Sequence, residues 1–510
     1  MMNRTQNAKK GVISGIINNL LSLFLPFVNR TIILYILGVE YLGIGGLFSS
    51  LIQVLNISEL GFGSALSFIL YRPLAEEDTD KVCAILSFAR KVFRIIGFVV
   101  LGIGFLFMPF LRHLVNGDLP SSLNLYILYS LFLLNSTISY FMYSYKRVLL
   151  SASQRYDVEM AIGSAILILQ NVLQLVVLVL WKNYYLYVIV FLISSLISNI
   201  VCEIVTRKRY PQYFCRGTID NKDIIQLKNT VKGVFVSKMG SVMFSSVNNI
   251  IISSFLGLVI LGRYSNYYYI SSCVVGFFAV VHNSIRPVLG NCFITETKRK
   301  MYYMLNNITF LYNWTAALCS CCMLCLYQDF IVLWAGQENM LPWHFAILMV
   351  ISFFVGRICS IPAVFVEAAG LYNESKYVNF SAGLVNLILG VLLVKLAGLN
   401  GVLIAMIISN ILVSQGGYAY VLFKRYFVDK TLAVSYLKDY IYNILYQTVL
   451  IVMVCLLMDR FFSDSFLMLI FKALVSASLF ALGFSLFIFS HKSRYKNSFL
   501  VLRQFLVLKK

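Results

Sequence analysis

Three cationic side chains and one carboxylate fall deep inside long apolar runs of the sequence, where charged groups are costly. The cations are Arg30, Arg357 and Lys472, and the carboxylate is Glu59. An arginine in the middle of a membrane-spanning helix costs about 2.5–3.5 kcal/mol even on the most lenient insertion scale. Such a residue needs an anionic partner, water or a function. A guanidinium group in a polar cleft is suited to binding phosphate, and a buried carboxylate is suited to carrying a proton or a cation.

Arg30 belongs to a polar stripe on the first apolar run. A polar face in lipid must point at protein or at a water-filled cavity. Asn and Ser can also simply link neighbouring helices, and an arginine can extend to the outer headgroups, so these interpretations stay open. At about 100° per residue, the stripe consists of Gly15, Asn19, Ser22, Pro26 and Arg30, with Asn29 at its edge.

The stripe recurs in the second half of the chain, as Lys238, Ser241, Ser245 and Asn249, with Asn248 at the edge. We expect an anionic headgroup to enter from the cytoplasm, to be held by Arg357 and to pass outward to Arg30. Glu59 is expected to pair with one of these arginines or to carry a coupling proton or cation. The predicted substrate-binding residues are Arg30, Asn29, Arg357, Asn248 and Asn249.

Membrane-spanning helices have to position these residues. Of the 510 residues, 60% are hydrophobic and 12% are charged, and the mean hydropathy is +0.82. A chain this apolar cannot hide its side chains in a soluble core. We predict an all-α polytopic membrane protein with about 14 transmembrane helices, since about fourteen runs are long enough to cross about 30 Å of hydrocarbon.

An internal repeat groups these helices as six, six and two. Residues Val28–Gly43 and Val247–Gly262 are identical at half of their positions. An even number of spans separates the two segments, so the six-helix lobes are parallel repeats, an arrangement typical of secondary transporters. We predict an N-lobe over 1–206, a cytoplasmic linker over 207–232, a C-lobe over 233–424, and two last helices with a cytoplasmic tail over 425–510.

The positive charge indicates the orientation. Lys and Arg total 42, the formal net charge is +21, and most of these residues lie in alternate loops. Both termini are therefore expected in the cytoplasm, and the charge favours contact with anionic membrane lipids. Because the charge is spread over short separate loops, the sequence argues against nucleic acid as a partner. The first apolar run is too long for a signal-peptide core, which indicates an uncleaved anchor.

Metal binding and catalysis are weaker interpretations. The 11 cysteines include a cluster from Cys319 to Cys325, but it lies inside an apolar run and is explained by packing. Loops on the outer side are short, and their few acids, such as Asp329, are not spaced as general acid–base pairs. We predict a transporter, not an enzyme, with no cofactor or metal site. A membrane-embedded polysaccharide polymerase or glycosyltransferase is a remote alternative.

Several short segments are informative in combination, although each is weak alone: Arg30–Ile33, Leu37–Gly38, Glu40–Ile44, Leu47–Phe48, Glu59–Ala65 and Tyr71–Ala75. Through them, nearly the whole chain resembles the polysaccharide transporter family, the O-antigen and capsule repeat-unit flippases of the MOP exporter superfamily. The resemblance implies two six-helix lobes arranged as a V, as in MATE transporters, plus two trailing helices in the bacterial cytoplasmic membrane.

The resemblance also implies a function. An undecaprenyl-pyrophosphate-linked oligosaccharide would move from the inner to the outer leaflet by alternating access, with H⁺ or Na⁺ as the coupling ion. Polysaccharide polymerases and glycosyltransferases of the same pathway would be its partners. Related lipid II flippases carry cavity arginines in the first and eighth spans. Arg30 matches the first in kind, whereas Arg286 lies at the inner end of its span and fits a cytoplasmic gate with Arg72 and Lys238.

Two other members of the superfamily stay open as alternatives. A multidrug antiporter of the MATE type would have a similar topology, but it handles cations, and the positive residues in the spans argue against it. A lipid II flippase is the closer competitor, because recognition of sugar hydroxyls leaves no linear motif.

Overall fold

In the computed structural model, every regular element of the described residues is a helix, which confirms the predicted all-α class. The chain forms two compact units, Met1–Gly262 and Arg263–Lys510. The predicted cytoplasmic tail over 491–510 lies outside the described residues. The structure describes residues 4–490, apart from Leu60, Asp118, Ser121, Tyr143, Gln154, Arg460 and Phe462.

In the first unit, the side chains of Asp78, Asn124 and Asn183 cap the helices that follow them by accepting hydrogen bonds from backbone N–H groups. Helix α1 packs on α7, α7 on α8, and α2 on α9. The helices are α1 (Arg4–Ile36), α2 (Val39–Leu55), α3 (Phe62–Ala75), α4 (Thr79–Phe107), α5 (Leu125–Phe141), α6 (Ser144–Ala152), α7 (Tyr156–Trp181), α8 (Tyr184–Arg209) and α9 (Asn221–Leu256).

In the second unit, the long helix α11 is central and packs against α12, α16 and α17. Its Trp314 contacts the rings of Phe480, Phe484 and Phe487 on α17, so the trailing helices belong to this core. The helices are α10 (Leu258–Thr295), which begins at the unit boundary, α11 (Lys298–Ala335), α12 (Trp343–Ile358), α13 (Ile361–Ala368), α14 (Tyr372–Ile408), α15 (Gly416–Val421), α16 (Lys430–Met458) and α17 (Phe466–Ser490).

Three breaks reconcile these helices with the predicted number of spans. Among the described residues, 11 helices are long and apolar enough to cross a membrane, or 12 if α5 and α6, which meet at 56°, form one span. Helices α2 and α3 together cover another predicted span. The stretch Tyr372–Phe427 covers two predicted spans, and the backbone of Ala397 and Gly398 inside it is not helical. About fourteen spans are compatible with this arrangement.

The unit boundary falls later in the chain than the lobe boundary predicted from the repeat. Part of the reason is that the segment 210–217 packs on α4. Arg216 pairs with Asp80 at 2.7 Å, and the backbone N–H of Phe214 donates to the Cys83 sulfur at 3.4 Å. The first half of the predicted linker is therefore fixed on the first unit. The lobes defined by the repeat stay a prediction, because the two units are defined by contacts between residues, whereas the lobes are defined by sequence similarity.

The two sequence repeats contact each other through their final glycines. A Cβ atom on Gly43 would lie 2.2 Å from the carbonyl oxygen of Leu258, and one on Gly262 would lie 2.2 Å from the carbonyl oxygen of Val39. Val39 and Leu258 hold the same position in their repeats, so the contact is reciprocal. Only glycine permits two backbones to come this close. A reciprocal contact is what approximate two-fold symmetry between repeats produces.

Candidate functional site

A polar cavity of about 390 Å³ lies inside the first unit, beside the break between α2 and α3. Helix α2 ends at Leu55, a 3₁₀ turn follows over Asn56–Glu59, and Gly61 has a φ of 88° before α3 begins. This left-handed conformation suits glycine, and Gly61 separates the 3₁₀ turn from α3. The break brings Glu59 to the cavity wall, together with Ser49, Gln53, Asn56, Asn135 and Ser136.

Glu59 joins this break to a second one. The hydroxyl of Tyr140 donates a hydrogen bond to Glu59 Oε2 at 2.5 Å. Tyr140 lies in the last turn of α5, directly before the chain turns by 56° into α6. Broken spans next to a polar cavity are a common way for transporters to present ion-binding groups at membrane depth. The Glu59–Tyr140 bond therefore links two bends of the first unit.

The rest of the cavity wall combines apolar side chains, such as Phe132 and Val188, with several polar ones that contribute oxygen atoms. The Ser136 hydroxyl donates to Asn56 Oδ1 at 2.9 Å, and the Ser246 hydroxyl of α9 donates to Gln53 Oε1 at 2.7 Å. One carboxylate with amide and hydroxyl oxygens can hold a proton or a hard monovalent cation. Among the residues that the structure describes, no group of three or more His, Cys, Asp or Glu side chains could hold a metal ion.

The three predicted amides are packing partners of neighbouring helices. Asn29 is 2% exposed, and its Nδ2 donates to Asn171 Oδ1 of α7 at 2.8 Å. Asn249 donates to the Ser50 hydroxyl of α2 at 2.8 Å, and Asn248 is buried beside it. These contacts are the interhelical links expected of polar residues in a membrane bundle. The structure thus places Asn29 and Asn249 between helices and buries Asn248.

Arg30 lies next to Asn29 in sequence but has different surroundings. Its guanidinium group is half-buried, and its charge acts on Tyr184 and Tyr187 of α8. Nearby on α1, the polar side chains of Asn19 and Ser22 are exposed on the surface of the unit. Because exposed polar groups on a membrane helix must meet water or protein, this part of α1 is suited to line an aqueous cavity.

Arg357 lies in a polar cluster of the second unit, formed by α10, α11 and the break between α12 and α13. Its charge acts on His282, and the imidazole ring of His282 stacks on Tyr312 with 5.1 Å between ring centroids. The Ser360 hydroxyl lies 3.3 Å from His282 Nε2 and 3.1 Å from the Tyr312 hydroxyl. Among the described residues, the buried Nε of Arg357 has no hydrogen-bond partner.

An apolar pocket of about 390 Å³ adjoins this cluster. Tyr312 belongs to both, since its side chain lines the pocket and its hydroxyl contacts Ser360. The pocket lies between α10, α11 and α17, and its largest side chains are those of Phe277, Phe278, Trp314, Phe480 and Phe484. A polar, cationic cluster and an apolar pocket therefore meet at one tyrosine.

The residues predicted to form a gate differ in their surroundings. Arg286 pairs with Glu367 of α13 at 2.7 Å, one turn of α10 beyond His282. Arg72 is 84% exposed and pairs with Glu76 of its own helix at 2.8 Å, and Lys238 is exposed on α9. The Arg286–Glu367 pair connects two helices, whereas the Arg72–Glu76 pair does not. A common gate for the three stays a prediction.

Sequence reasoning missed several partners. Lys472 of α17 forms a buried ion pair with Asp329 of α11 at 2.9 Å, although Asp329 was expected at the outer face. Tyr140 and His282 were not singled out at all. Only the break after Leu55 and the packing of α10 beside the break between α12 and α13 give them a polar neighbour, and hydropathy shows neither.

The fold is that of a multi-pass membrane transporter. A sequence profile described as "Polysaccharide biosynthesis protein" matches residues 8–293, and the chain belongs to this family of the MOP superfamily. This confirms the resemblance read from its short segments. No curated protein matches the chain.

Solved structures with the same fold include transporters of two kinds. "Lipid II flippase MurJ, inward closed conformation" is 18% identical with a TM-score of 0.65, covering 94% of this chain and 99% of its own. "Inward-facing conformation of a multidrug resistance MATE family transporter of the MOP superfamily" is 13% identical with a TM-score of 0.58, covering 80% and 94%. The MATE transporter VcmN of Vibrio cholerae, in the form of a point mutant, is 14% identical with a TM-score of 0.58, covering 85% and 100%. At these identities the likeness shows the fold.

Proposed function

We propose that the protein is a flippase that moves an undecaprenyl-pyrophosphate-linked oligosaccharide, an O-antigen or capsular repeat unit, from the inner to the outer leaflet of the bacterial cytoplasmic membrane. Both termini are in the cytoplasm. Membership in a polysaccharide biosynthesis family supports this class of substrate. A charged, hydroxyl-rich headgroup cannot cross about 30 Å of hydrocarbon without a polar path, because its desolvation is too costly.

The observation that carries the proposal is the surroundings of Arg357. Its guanidinium group lies in a membrane-spanning helix, and its buried Nε lacks a hydrogen-bond partner among the described residues. Within the same residues, no carboxylate forms an ion pair with it, and Glu367 of the adjacent α13 is paired with Arg286. A partly buried cation with a buried, unused donor is suited to an anionic ligand that comes and goes. Arg357 and Arg30 bind the pyrophosphate in turn as it moves outward.

The adjoining apolar pocket supports a lipid-linked substrate. Its wall is almost entirely aromatic and aliphatic, and it meets the Arg357 cluster at Tyr312. An amphiphile with a phosphate at one end and a polyprenyl chain at the other fits this juxtaposition. A multidrug antiporter for cations does not explain the unpaired cationic donor. A lipid II flippase remains the second candidate, supported by the likeness to the flippase structure.

Glu59 is proposed as the ion-coupling residue. It is a carboxylate in a polar cavity at the break of a span, and Tyr140 holds one of its oxygens. Binding of H⁺ or Na⁺ at Glu59 would change this hydrogen bond and so the two bends that it joins. Such a link between an ion site and two bent helices is what alternating access requires.

Reconstitution into proteoliposomes tests the function. The probes are a polyprenyl-diphosphate-linked oligosaccharide, lipid II and ethidium, and the readout is the rate at which each crosses the bilayer. We expect the oligosaccharide to move fastest, and Arg30→Gln and Arg357→Gln each to slow it at least about tenfold, as loss of a charge-assisted contact implies. Arg299→Gln removes an exposed charge and should have no effect.

Three outcomes would contradict the proposal: faster movement of lipid II, movement of ethidium alone, or wild-type rates in both arginine variants.

The coupling role has its own control. Glu59→Gln should abolish the dependence of the rate on an imposed H⁺ or Na⁺ gradient, whereas Glu374→Gln, at an exposed position, should leave it unchanged. A gradient dependence that survives in Glu59→Gln would exclude Glu59 as the coupling residue.

A further inference from the structure

His282 is a titratable group in a membrane-spanning helix that the flippase function above does not use. It lies on α10, one turn before Arg286, and its ring packs flat against Tyr312 of α11. Its neighbours hold it in a fixed orientation, with the stacked tyrosine on its face and Ser360 at its Nε2 atom. A histidine fixed in this way beside an arginine has the composition of a phosphate-binding site.

The hydrogen bonds of Ser360 indicate which imidazole nitrogen is available. Ser360 has a single hydroxyl hydrogen, and we assign it to the shortest contact, 2.6 Å to the carbonyl oxygen of Arg357, because that atom can only accept, whereas the Tyr312 hydroxyl at 3.1 Å can itself donate to Ser360. Its oxygen therefore accepts from the Nε2–H of His282 at 3.3 Å. In this tautomer, Nδ1 carries the lone pair. A proton added to the ring would bind at Nδ1 and make His282 a second cation next to Arg357.

The groups that face His282 do not supply a counter-charge. Arg357 acts on it from α12 and Arg286 from its own helix, and both are cations. The carboxylate of Glu367 on α13 is paired with Arg286 at 2.7 Å. Tyr312 faces it from α11, and α17 contributes only apolar side chains to the adjoining pocket. Among the described residues, no ion pair involves His282 itself, so an anion from outside would be its first counter-charge.

We propose that His282 and Arg357 together bind a phosphate group, and that His282 takes up a proton when the phosphate binds and releases it when the phosphate leaves. The idea rests on the proposed flippase function for the source of the phosphate. The physical reason is charge balance: two adjacent cations repel each other in a poorly solvated site, and an anion between them attracts both. One proton would then be bound at His282 for as long as each headgroup occupies the site.

The test is calorimetric binding to the purified full-length protein in lipid nanodiscs. Farnesyl diphosphate is the lipid-like probe, inorganic pyrophosphate is the free-anion probe, and farnesol lacks the phosphate. Titrations in two buffers with different ionisation enthalpies give the number of protons taken up per bound ligand. We expect the wild type to take up about one proton more than His282→Gln, to bind about tenfold more tightly, and to lose affinity faster as the pH rises.

Matched variants separate binding from folding. His282→Gln keeps a side chain that can donate to Ser360, and His344→Asn removes an exposed histidine at the start of α12 and should behave as the wild type. Arg357→Gln should weaken both phosphate probes at least about tenfold. Tighter binding of farnesyl diphosphate than of pyrophosphate indicates a lipid headgroup as the ligand, and the reverse indicates a free anion; either result supports the phosphate site.

Two results would overturn the inference, and they have different meanings. If the wild type binds diphosphate but His282→Gln shows the same proton uptake and pH dependence, His282 is not the proton carrier and the flippase proposal survives. If farnesol binds as tightly as farnesyl diphosphate and Arg357→Gln changes nothing, the site does not bind phosphate. That second result also removes the main support for the flippase proposal.

Discussion

The buried pair between Asp329 and Lys472 predicts a large loss of stability when either partner is removed. Both side chains are 8% exposed, and Lys472 Nζ lies 2.9 Å from Asp329 Oδ2. Removing one partner leaves a charge without compensation in a poorly solvated interior, which costs about 3–5 kcal/mol of unfolding free energy. That range corresponds to a factor of roughly 10²–10⁴ in the unfolding equilibrium. Asp329→Asn and Lys472→Met should each lose this amount.

Unfolding in mixed micelles with increasing dodecyl sulfate gives the measurement. Tryptophan fluorescence is a suitable signal, because Trp314 packs against the aromatic side chains of α17 and senses the separation of α11 from it. The double variant Asp329→Asn with Lys472→Met should lose less than the sum of the two single variants, since no unpaired charge remains.

An exposed pair provides the control for this experiment. Lys300 and Glu296 are 2.6 Å apart on the surface, and Lys300→Met should cost less than about 1 kcal/mol. Losses below about 1 kcal/mol in both buried-pair variants, or strictly additive losses in the double variant, would refute the reasoning that the pair is desolvated and coupled.

Two further predictions concern the first unit. Gly43→Ala should lower the unfolding free energy by about 2–3 kcal/mol in the same assay, because the new Cβ would lie 2.2 Å from a backbone oxygen. Gly46→Ala in the same helix meets no atom within 4 Å and should be neutral or stabilising. Equal effects of the two substitutions would contradict the close contact. Burial raises the pKa of the Cys215 thiol, so maleimide should label it slowly at neutral pH. Arg216→Glu breaks the pair with Asp80 and should accelerate labelling. Arg207→Glu is the control and should leave the labelling rate unchanged. Mass spectrometry of the Cys215 peptide decides this, and unchanged rates in Arg216→Glu would show that the Arg216–Asp80 pair does not hold the segment on α4.

Composition and repeats were sufficient to predict the class of fold. The apolar runs predicted membrane-spanning helices, and the match between Val28–Gly43 and Val247–Gly262 is accompanied by a physical contact between Gly43 and Gly262. The breaks were harder to predict. Only six residues, Asn56 to Gly61, interrupt the second predicted span, and they lie between two strongly apolar stretches, so hydropathy averaged along the chain joins α2 and α3. Only a turn residue with positive φ, Gly61, indicates the interruption, and glycine is frequent inside membrane helices.

The candidate sites were predictable one residue at a time, but not as groups. Arg357 and Glu59 were identified because a charge in an apolar run is rare and costly. Their partners His282 and Tyr140 are side chains that occur in many membrane helices for packing reasons, and only the folded arrangement of the helices selects them. Asp329 was placed at the outer face for the same reason. The sequence shows that it lies near the end of an apolar run, but it does not show that Lys472 of another helix lies beside it.

The reciprocal glycine contact limits how the two halves of the gene can diverge. In most helix interfaces, a larger residue on one side can be accommodated by a smaller one opposite. Here each Cβ would meet a main-chain oxygen, and both glycines already have the smallest side chain, so neither position can make room for the other. No substitution at one site can therefore compensate for a larger residue at the other. The repeat retains glycine at the end of each copy, although many of the residues before it differ between the copies.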